Sequence, residues 1–142
     1  MKRQQRGAAL VEFALVLPLM LMMTCLVTEF GRAYYQYNTI TKSVREAVRY
    51  LSVRAANVDI DKAKNIAVYG NPAGTGTPLA PGLSITNVSI PDRGTAGSYP
   101  TFSTVSVVVT DYTFVPMVTN TFGLTFSNIT FGPISATMRS PT

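Results

Sequence analysis

The side chains that could carry acid–base or nucleophilic chemistry are few in this 142-residue chain, and their positions do not favour catalysis. The closest pair of carboxylates, Asp59 and Asp61, stands at a predicted helix start, where acidic side chains interact favourably with the helix dipole. The single cysteine, Cys25, lies deep in an apolar run, which disfavours the thiolate that a nucleophile requires. We therefore interpret the carboxylates as helix-stabilising residues and the cysteine as a packing residue.

Other kinds of chemistry are excluded by what the sequence lacks. There is no histidine, so the chain has neither an imidazole base nor an imidazole metal ligand. One cysteine cannot form a disulfide within the chain. The sequence also contains no glycine-rich phosphate loop and no metal-ligand spacing. It therefore predicts a protein that is not an enzyme, with no catalytic residue, no metal and no cofactor.

The formal charge of +5 is unevenly distributed along the chain. Lys2, Arg3 and Arg6 precede an apolar segment, residues 29–69 carry most of the other basic side chains, and residues 70–142 have no net charge. A nucleic-acid-binding domain needs clustered basic residues with interleaved aromatic side chains on one surface. The sequence therefore predicts no nucleic-acid partner.

A candidate membrane span covers residues 8–28, AALVEFALVLPLMLMMTCLVT, in which Glu12 is the only charged residue. A helix of 21 residues is about 31 Å long, which is enough to cross the hydrocarbon core of a bilayer. Because the basic residues precede this helix, the positive-inside rule places the N-terminus in the cytoplasm and the rest of the chain across the membrane. Membrane lipid is thus a predicted partner.

Two residues of this span are unusual for a simple anchor. An ionised side chain at the centre of a membrane helix costs about 2.5–3.5 kcal/mol, and the cost is smaller near the end, where Glu12 lies. Glu12 therefore needs a partner. Pro18 has no N–H, so the carbonyl of Ala14 loses its helical donor, which predicts a kink or a loosened turn.

A secretory signal peptide is an alternative interpretation of the N-terminus. The basic head fits this alternative. However, the apolar region 13–27 is long for a signal peptide, and an acidic residue comes just before it. The only nearby small-x-small triplet, residues 31–33, has Arg32 at its centre. These features favour a retained anchor.

Helical periodicity continues beyond the span. Steps of three and four residues predict one nearly continuous helix from about residue 8 to about residue 55, apolar on all sides at first and amphipathic afterwards. The apolar stripe of the amphipathic half consists of Phe30, Tyr34, Tyr37, Thr41, Val44, Val48, Leu51 and Ala55. A second helix is predicted over residues 59–69, with Asp59 as its N-cap and Gly70 as its stop.

The pattern changes to that of a sheet after a loop region rich in Gly and Pro at residues 70–100, which contains one strand candidate at 83–90. Alternating runs near 104–114 and 124–138 predict strands, with a bulge at Ser127 and Asn128. We expect three or four antiparallel strands. The predicted fold class is α+β, with a long N-terminal helix packed through its amphipathic half on a small antiparallel sheet.

Residues 6–13, RGAALVEF, carry a resemblance to a known family. A basic leader ends in Gly7, an apolar helix follows, and Glu12 is the fifth residue after that glycine, with the aromatic Phe13 next to it. This arrangement resembles the leader of type IV pilins, specifically the class of the tight-adherence (Tad) pilus. The longer strings RGAALVEFALVLPLML and TEFGRAYYQYNTITKSVREAVRY resemble the TadE family of minor pseudopilins. A weaker likeness is found at Ile134–Arg139.

The resemblance implies a pilin-like organisation and a processing step. It implies a leader at 1–7, a transmembrane segment at 8–28, an amphipathic continuation with the second helix at 29–69, and an extracytoplasmic β-rich domain at 70–142. A prepilin peptidase at the inner membrane would hold the basic leader residues Lys2, Arg3 and Arg6. It would cut between Gly7 and Ala8.

The resemblance also implies partners and a role. Glu12, followed by Phe13, would pair with the N-terminal amine of a neighbouring pilin or pseudopilin while the inner-membrane machinery assembles a pilus, into which this subunit can be incorporated. Major pilins of this class usually have Tyr after the glutamate and lack a β domain, so Phe13 and the longer chain favour a minor pseudopilin. The alternative is an uncleaved bitopic membrane protein that presents an outward-facing β binding module.

Overall fold

The computed structural model describes residues 5–121 and 124–140, without the side chains of residues 5, 6, 121 and 124. Within these described residues, two helices and eight strands follow one another, with a 3₁₀ turn at Ile85–Asn87. The elements are α1 (Gln5–Ser52), α2 (Ile60–Tyr69), β1 (Val88–Ser89), β2 (Gly94–Ala96), β3 (Phe102–Val109), β4 (Thr113–Phe114), β5 (Asn120–Thr121), β6 (Leu124–Thr125), β7 (Ile129–Thr130) and β8 (Ile134–Arg139). The α+β prediction, with a long N-terminal helix, is confirmed.

The chain forms two compact units, and α1 contributes to both. The N-terminal unit comprises the described residues of 1–34 and 115–128. The sheet unit comprises the described residues of 35–114 and 129–142. Residues 115–128 include the short antiparallel pair β5–β6, so a segment from late in the sequence belongs with the start of α1.

The sheet unit is organised around β3, which is the central strand of a four-stranded antiparallel sheet. β8 pairs along one edge of β3, from Thr104 opposite Arg139 to Val109 opposite Ile134. β1 and β2 share the other edge, at opposite ends of β3. Within β3, Val105, Val107 and Val109 are buried whereas the residues between them are partly exposed. The alternation expected of a strand with one buried face is thus confirmed.

The buried face of the sheet packs against the amphipathic part of α1 and against α2, in one hydrophobic core. The buried residues of the two helices in this core are Ile40, Val44, Ala47, Val48, Leu51, Ala63, Ile66, Ala67 and Val68. Burial of apolar surface contributes about 25 cal/mol per Å². This core is therefore what holds α1 and α2 to the sheet.

The predicted apolar stripe is confirmed at Val44, Val48 and Leu51 and is wrong at both ends, since α1 ends at Ser52 and Ala55 beyond it is exposed. Phe30, Tyr34 and Tyr37 are exposed. The buried positions of that part of α1 are Glu29, Ala33, Gln36 and Ile40.

Polar groups can be buried on this part of α1 because they have partners. Gln36 Oε1 accepts a hydrogen bond of 2.7 Å from the hydroxyl of Tyr112, which also contacts the carbonyl oxygen of Pro81 at 2.9 Å. Burial raises the pKa of the Tyr112 hydroxyl above its usual value, because the charged form loses its hydration. Satisfied polar groups of this kind decide which face is buried, and hydrophobicity alone does not reveal them.

Two predictions about the strands also need correction. Within the strand candidate at 83–90, residues 85–87 form a 3₁₀ turn and only residues 88–89 form a strand, β1. The Asn87 side chain holds the turn by donating to the Thr110 carbonyl at 3.1 Å. The predicted bulge at Ser127 and Asn128 is wrong. These residues join β6, which pairs with β5, to β7, which pairs with β4. They therefore connect two strand pairs and do not interrupt one strand.

The predicted ends of α2 are confirmed in position, but the predicted cap is not. Gly70 adopts a left-handed conformation with φ 74°, and its N–H donates to the Ile66 carbonyl. Asp59 precedes the helix, also with a left-handed φ of 59°, and makes no side-chain capping hydrogen bond. Its carboxylate instead lies 2.8 Å from Arg54 Nε and 2.9 Å from Lys62 Nζ.

These two ion pairs give the sheet unit an expected pH dependence. Hydrogen bonds from Lys62 and then from Arg54 lower the pKa of Asp59 below its usual value. The native state thus binds this proton less readily than the unfolded state, and the stabilisation is present above about pH 4 and lost as the pH falls through the native pKa. We expect Asp59→Asn to flatten the stability–pH curve below about pH 4. Urea unfolding of the full chain between pH 6 and pH 3 measures this.

The matched control is Asp61→Asn on the same helix turn, because Asp61 is exposed and forms no ion pair among the residues that the structure describes. An equal flattening in both variants would contradict the assignment to Asp59.

Candidate functional site

The predicted cleavage position lies in the first turns of α1. Gly7 and Ala8 are both exposed and helical. A side chain at Gly7 would meet no atom within 4 Å. Glycine costs about 1 kcal/mol relative to alanine in a helix. The packing of α1 therefore does not require a glycine at this position.

The predicted leader cations are the part of this site that the structure leaves out. Lys2 and Arg3 lie outside the described residues, and so does the side chain of Arg6. The backbone of residues 5 and 6 already belongs to α1. The cleavage position is thus preceded by helix for at least two residues.

Glu12 and Phe13 are exposed on α1, one turn beyond Ala8. Residues four apart are neighbours on one helix face, so Ala8 and Glu12 share a face. In the part of the chain that the structure describes, Glu12 has no hydrogen-bond or ion-pair partner. A carboxylate inside an apolar stretch therefore still lacks the partner that its charge requires.

The surface around Glu12 is apolar on all sides. The exposed large apolar residues of this stretch are Leu10, Val11, Phe13, Leu15, Val16, Leu17, Leu19, Met20, Leu21, Met23 and Val27. The most apolar 18-residue window of α1 has a mean hydropathy of 2.4 and no buried residue. By length and composition α1 is a candidate membrane span. The helix continues through Pro18.

Glu29, which the sequence analysis did not identify as a site residue, follows the apolar segment directly. Glu29 is only 6% exposed. Its Oε1 atom accepts hydrogen bonds from the backbone N–H groups of Met117 at 3.1 Å and Val118 at 3.3 Å. Its Oε2 atom lies 2.7 Å from Nη1 of Arg32. Both carboxylate oxygens are therefore used, and the late segment is fixed to α1.

The spacing of Glu29 and Arg32 is a local signal that favours an ion pair on one helix face. No local spacing predicts the two amide donors, because Met117 and Val118 lie 88 and 89 positions after Glu29 in the sequence. Backbone N–H groups have no signature in the sequence. Only the fold reveals this contact.

Among the residues that the structure describes, no three His, Cys, Asp or Glu side chains lie close enough together to hold a metal ion. What the site offers is an exposed apolar helix with one carboxylate lacking a partner near its start and one bound carboxylate near its end. Such an arrangement can bind lipid or another helix.

Comparison with known proteins gives a family match on the helix that carries this site. The family model described as TadE-like protein matches residues 7–49. The match confirms the resemblance along most of α1, whereas the weaker likeness at Ile134–Arg139 lies outside it. The TadE-like family implies a protein associated with the Tad pilus. That family is not a known enzyme family. No curated protein and no solved structure matches the chain.

Proposed function

From the TadE-like match over residues 7–49, we propose that the chain is a minor pseudopilin that a prepilin peptidase cleaves between Gly7 and Ala8 and that supports assembly of a Tad pilus. The carrying observation is where the match begins, at Gly7, the residue before the proposed cut. In this proposal the chain sits in the bacterial inner membrane with its N-terminus in the cytoplasm. The sheet unit is extracytoplasmic, and the subunit can enter the fibre.

The geometry of Gly7 supports the processing step. No neighbouring atom of the chain requires a glycine there. Because glycine has no side chain, a protease can approach the backbone closely at this position. A protease must also unwind the first turn of α1 to reach the peptide bond. Helix ends fray readily, and glycine weakens this end further.

The position of Glu12 supports the assembly step. Cleavage would create an amine at Ala8, four residues and therefore about 6 Å of helix rise from Glu12. A neighbouring helix displaced by about that distance along the axis brings its own amine level with Glu12. Pairing the two charges removes the cost of leaving each of them alone in an apolar environment. The charge pair would thus orient subunits and set their stagger. Other pilins or pseudopilins and the inner-membrane assembly machinery are the partners in this scheme.

The test is the N-terminal sequence and intact mass of the protein from native membranes of cells with an active prepilin peptidase. We expect a chain that begins at Ala8. Gly7→Val should block processing, because the peptidase would meet a branched side chain at the cut. Gly31→Val is the matched control and should be processed, since Gly31 is also a helical glycine with nothing within 4 Å.

A wild-type chain that still begins at Met1 or Lys2 would overturn the proposal. It would leave the uncleaved bitopic protein with an outward-facing binding module. Equal processing of the Gly7→Val variant and the control would show that Gly7 is not the residue that the peptidase reads.

A further inference from the structure

We propose that residues 115–118, held against α1 by Glu29, form a membrane-interface contact in which Val115 and Met117 enter the lipid headgroup region where the span ends. This inference rests on the membrane insertion included in the proposed function. It adds a second lipid-binding element, distant in sequence from the span. It also gives Glu29 a role as the positioning residue of that element.

Residues 115–118 contact α1 at the residue that follows its apolar segment. Glu29 is the first residue after the apolar segment 8–28. Its Oε1 atom lies 3.1 Å from the backbone nitrogen of Met117. Residues 115–118 therefore lie at the level where the span, about 31 Å long, leaves the hydrocarbon core.

Large exposed side chains are found on both sides of the Glu29 contact. Val115 is 59% exposed and Met117 is 76% exposed, whereas Pro116 between them is buried. On α1, Phe30 and Tyr34 are also exposed large side chains just beyond the span. Aromatic residues are enriched at membrane–water interfaces, where their rings sit among the headgroups. Exposed aromatic side chains thus follow the span directly on α1, and exposed apolar side chains lie on the segment that Glu29 binds.

Charged side chains, which would oppose entry into the membrane interface, are missing from the sequence of this segment. Residues 112–138 contain no Asp, Glu, Lys or Arg. The N–H groups of Met117 and Val118 already donate to Glu29, and the charge of Glu29 is paired with Arg32. Unpaired backbone groups and charges are what make entry into lipid costly. Here the two N–H groups and the Glu29 carboxylate are already paired within the protein.

The same surface could face a second protein. Lipid is the occupant that the observations favour, because the exposed side chains continue directly from the candidate span and no charged residue in 115–128 offers a specific partner contact. A protein interface usually has a polar rim, and residues 112–138 contain no Asp, Glu, Lys or Arg that could form one. A protein occupant is an outcome of the following test.

The experiment uses full-length chains in vesicles of phosphatidylethanolamine and phosphatidylglycerol, each with one nitroxide-labelled cysteine in a Cys25→Ser background. The labelled variants are Met20→Cys in the span, Met117→Cys in the proposed contact, and Tyr99→Cys, whose side chain is 97% exposed in the sheet unit. Collisions of the nitroxide with oxygen, which partitions into lipid, are compared with collisions with a water-soluble nickel chelate.

We expect the label at 20 to favour oxygen most strongly, the label at 117 to show a weaker preference for oxygen because it lies in the headgroup region, and the label at 99 to favour the chelate. Adding Glu29→Ala should abolish the oxygen preference at 117, because the two amides lose their acceptor. Glu29→Gln, which keeps one acceptor oxygen, should retain it. The label at 20 should be unaffected by either change.

Each contrary result has a distinct meaning. A label at 117 that matches the label at 99, while the label at 20 favours oxygen, would overturn this inference alone. A label at 117 that is shielded from both reagents would overturn it in favour of a protein occupant. A label at 20 that favours the chelate would overturn the membrane insertion in the proposed function as well.

Discussion

Pilus assembly is expected to fail in a Glu12→Ala variant that is still inserted and still cleaved at Gly7. Alanine removes the cost of placing a carboxylate in the apolar span, so membrane levels should not fall. It also leaves the amine of the neighbouring subunit unpaired, and breaking a buried charge pair costs about 3–5 kcal/mol. A loss of about 3 kcal/mol weakens each subunit contact roughly a hundredfold. Counting surface pili by electron microscopy, alongside the intact mass of the subunit, measures both parts of this prediction.

Glu46→Ala is the matched control, because Glu46 is an exposed glutamate of the same helix in the sheet unit. Its removal should leave pili unchanged. Normal piliation in the Glu12→Ala strain would contradict the pairing role of Glu12. Loss of the protein from the membrane in that strain would contradict the expectation that the variant is inserted.

Replacing Ile40 with alanine is expected to be strongly destabilising for the sheet unit. Ile40 is fully buried in the core between α1 and the sheet. Truncation of a buried isoleucine removes its transfer free energy and leaves a cavity, which together cost about 2–5 kcal/mol. Urea unfolding of the full chain in nanodiscs, followed by pulse proteolysis, measures the change in the free energy of unfolding.

Ile85→Ala serves as the control, since it makes the same change at a side chain that is 41% exposed. We expect it to cost about 1 kcal/mol or less. Equal losses in the two variants would show that burial does not distinguish these positions. No loss at Ile40 would contradict its place in the core.

The elements that sequence reasoning predicted well are those with a repeating local pattern. The three- and four-residue steps through Val44, Val48 and Leu51 identified the buried face of α1. The alternation of Val105, Val107 and Val109 identified the central strand. In both cases the spacing of apolar residues matches the geometric period of the element, so burial follows from the period.

The elements that it missed depend on polar partners far away in the chain. The choice between Phe30 and Glu29 as a buried position cannot be made from hydrophobicity, because it depends on amide groups of residues 117 and 118. Gln36 is buried for a similar reason, through the hydroxyl of Tyr112. Satisfied polar groups carry no periodic signal.

The candidate site divides in the same way. Residues Gly7 to Phe13 could be selected from the sequence because their spacing is local and resembles a leader that a peptidase reads. The structure places them on one exposed helix, and their partners in the proposal belong to other molecules. Residues 115–118 could not be selected, since nothing in their own sequence points to the end of the span.

The contact between Glu29 and Met117 also imposes an order on biosynthesis. A ribosome adds roughly 5–20 residues per second, so the 88 positions that separate these residues take on the order of 5–20 s to translate. Throughout that interval the carboxylate that follows the apolar segment has none of its amide donors. A nascent chain released before Met117 cannot provide the two N–H donors that Glu29 accepts from. It also lacks β8, the strand that pairs along one edge of β3. Only a chain translated to near its end can complete both units, since each unit includes a segment beyond residue 114.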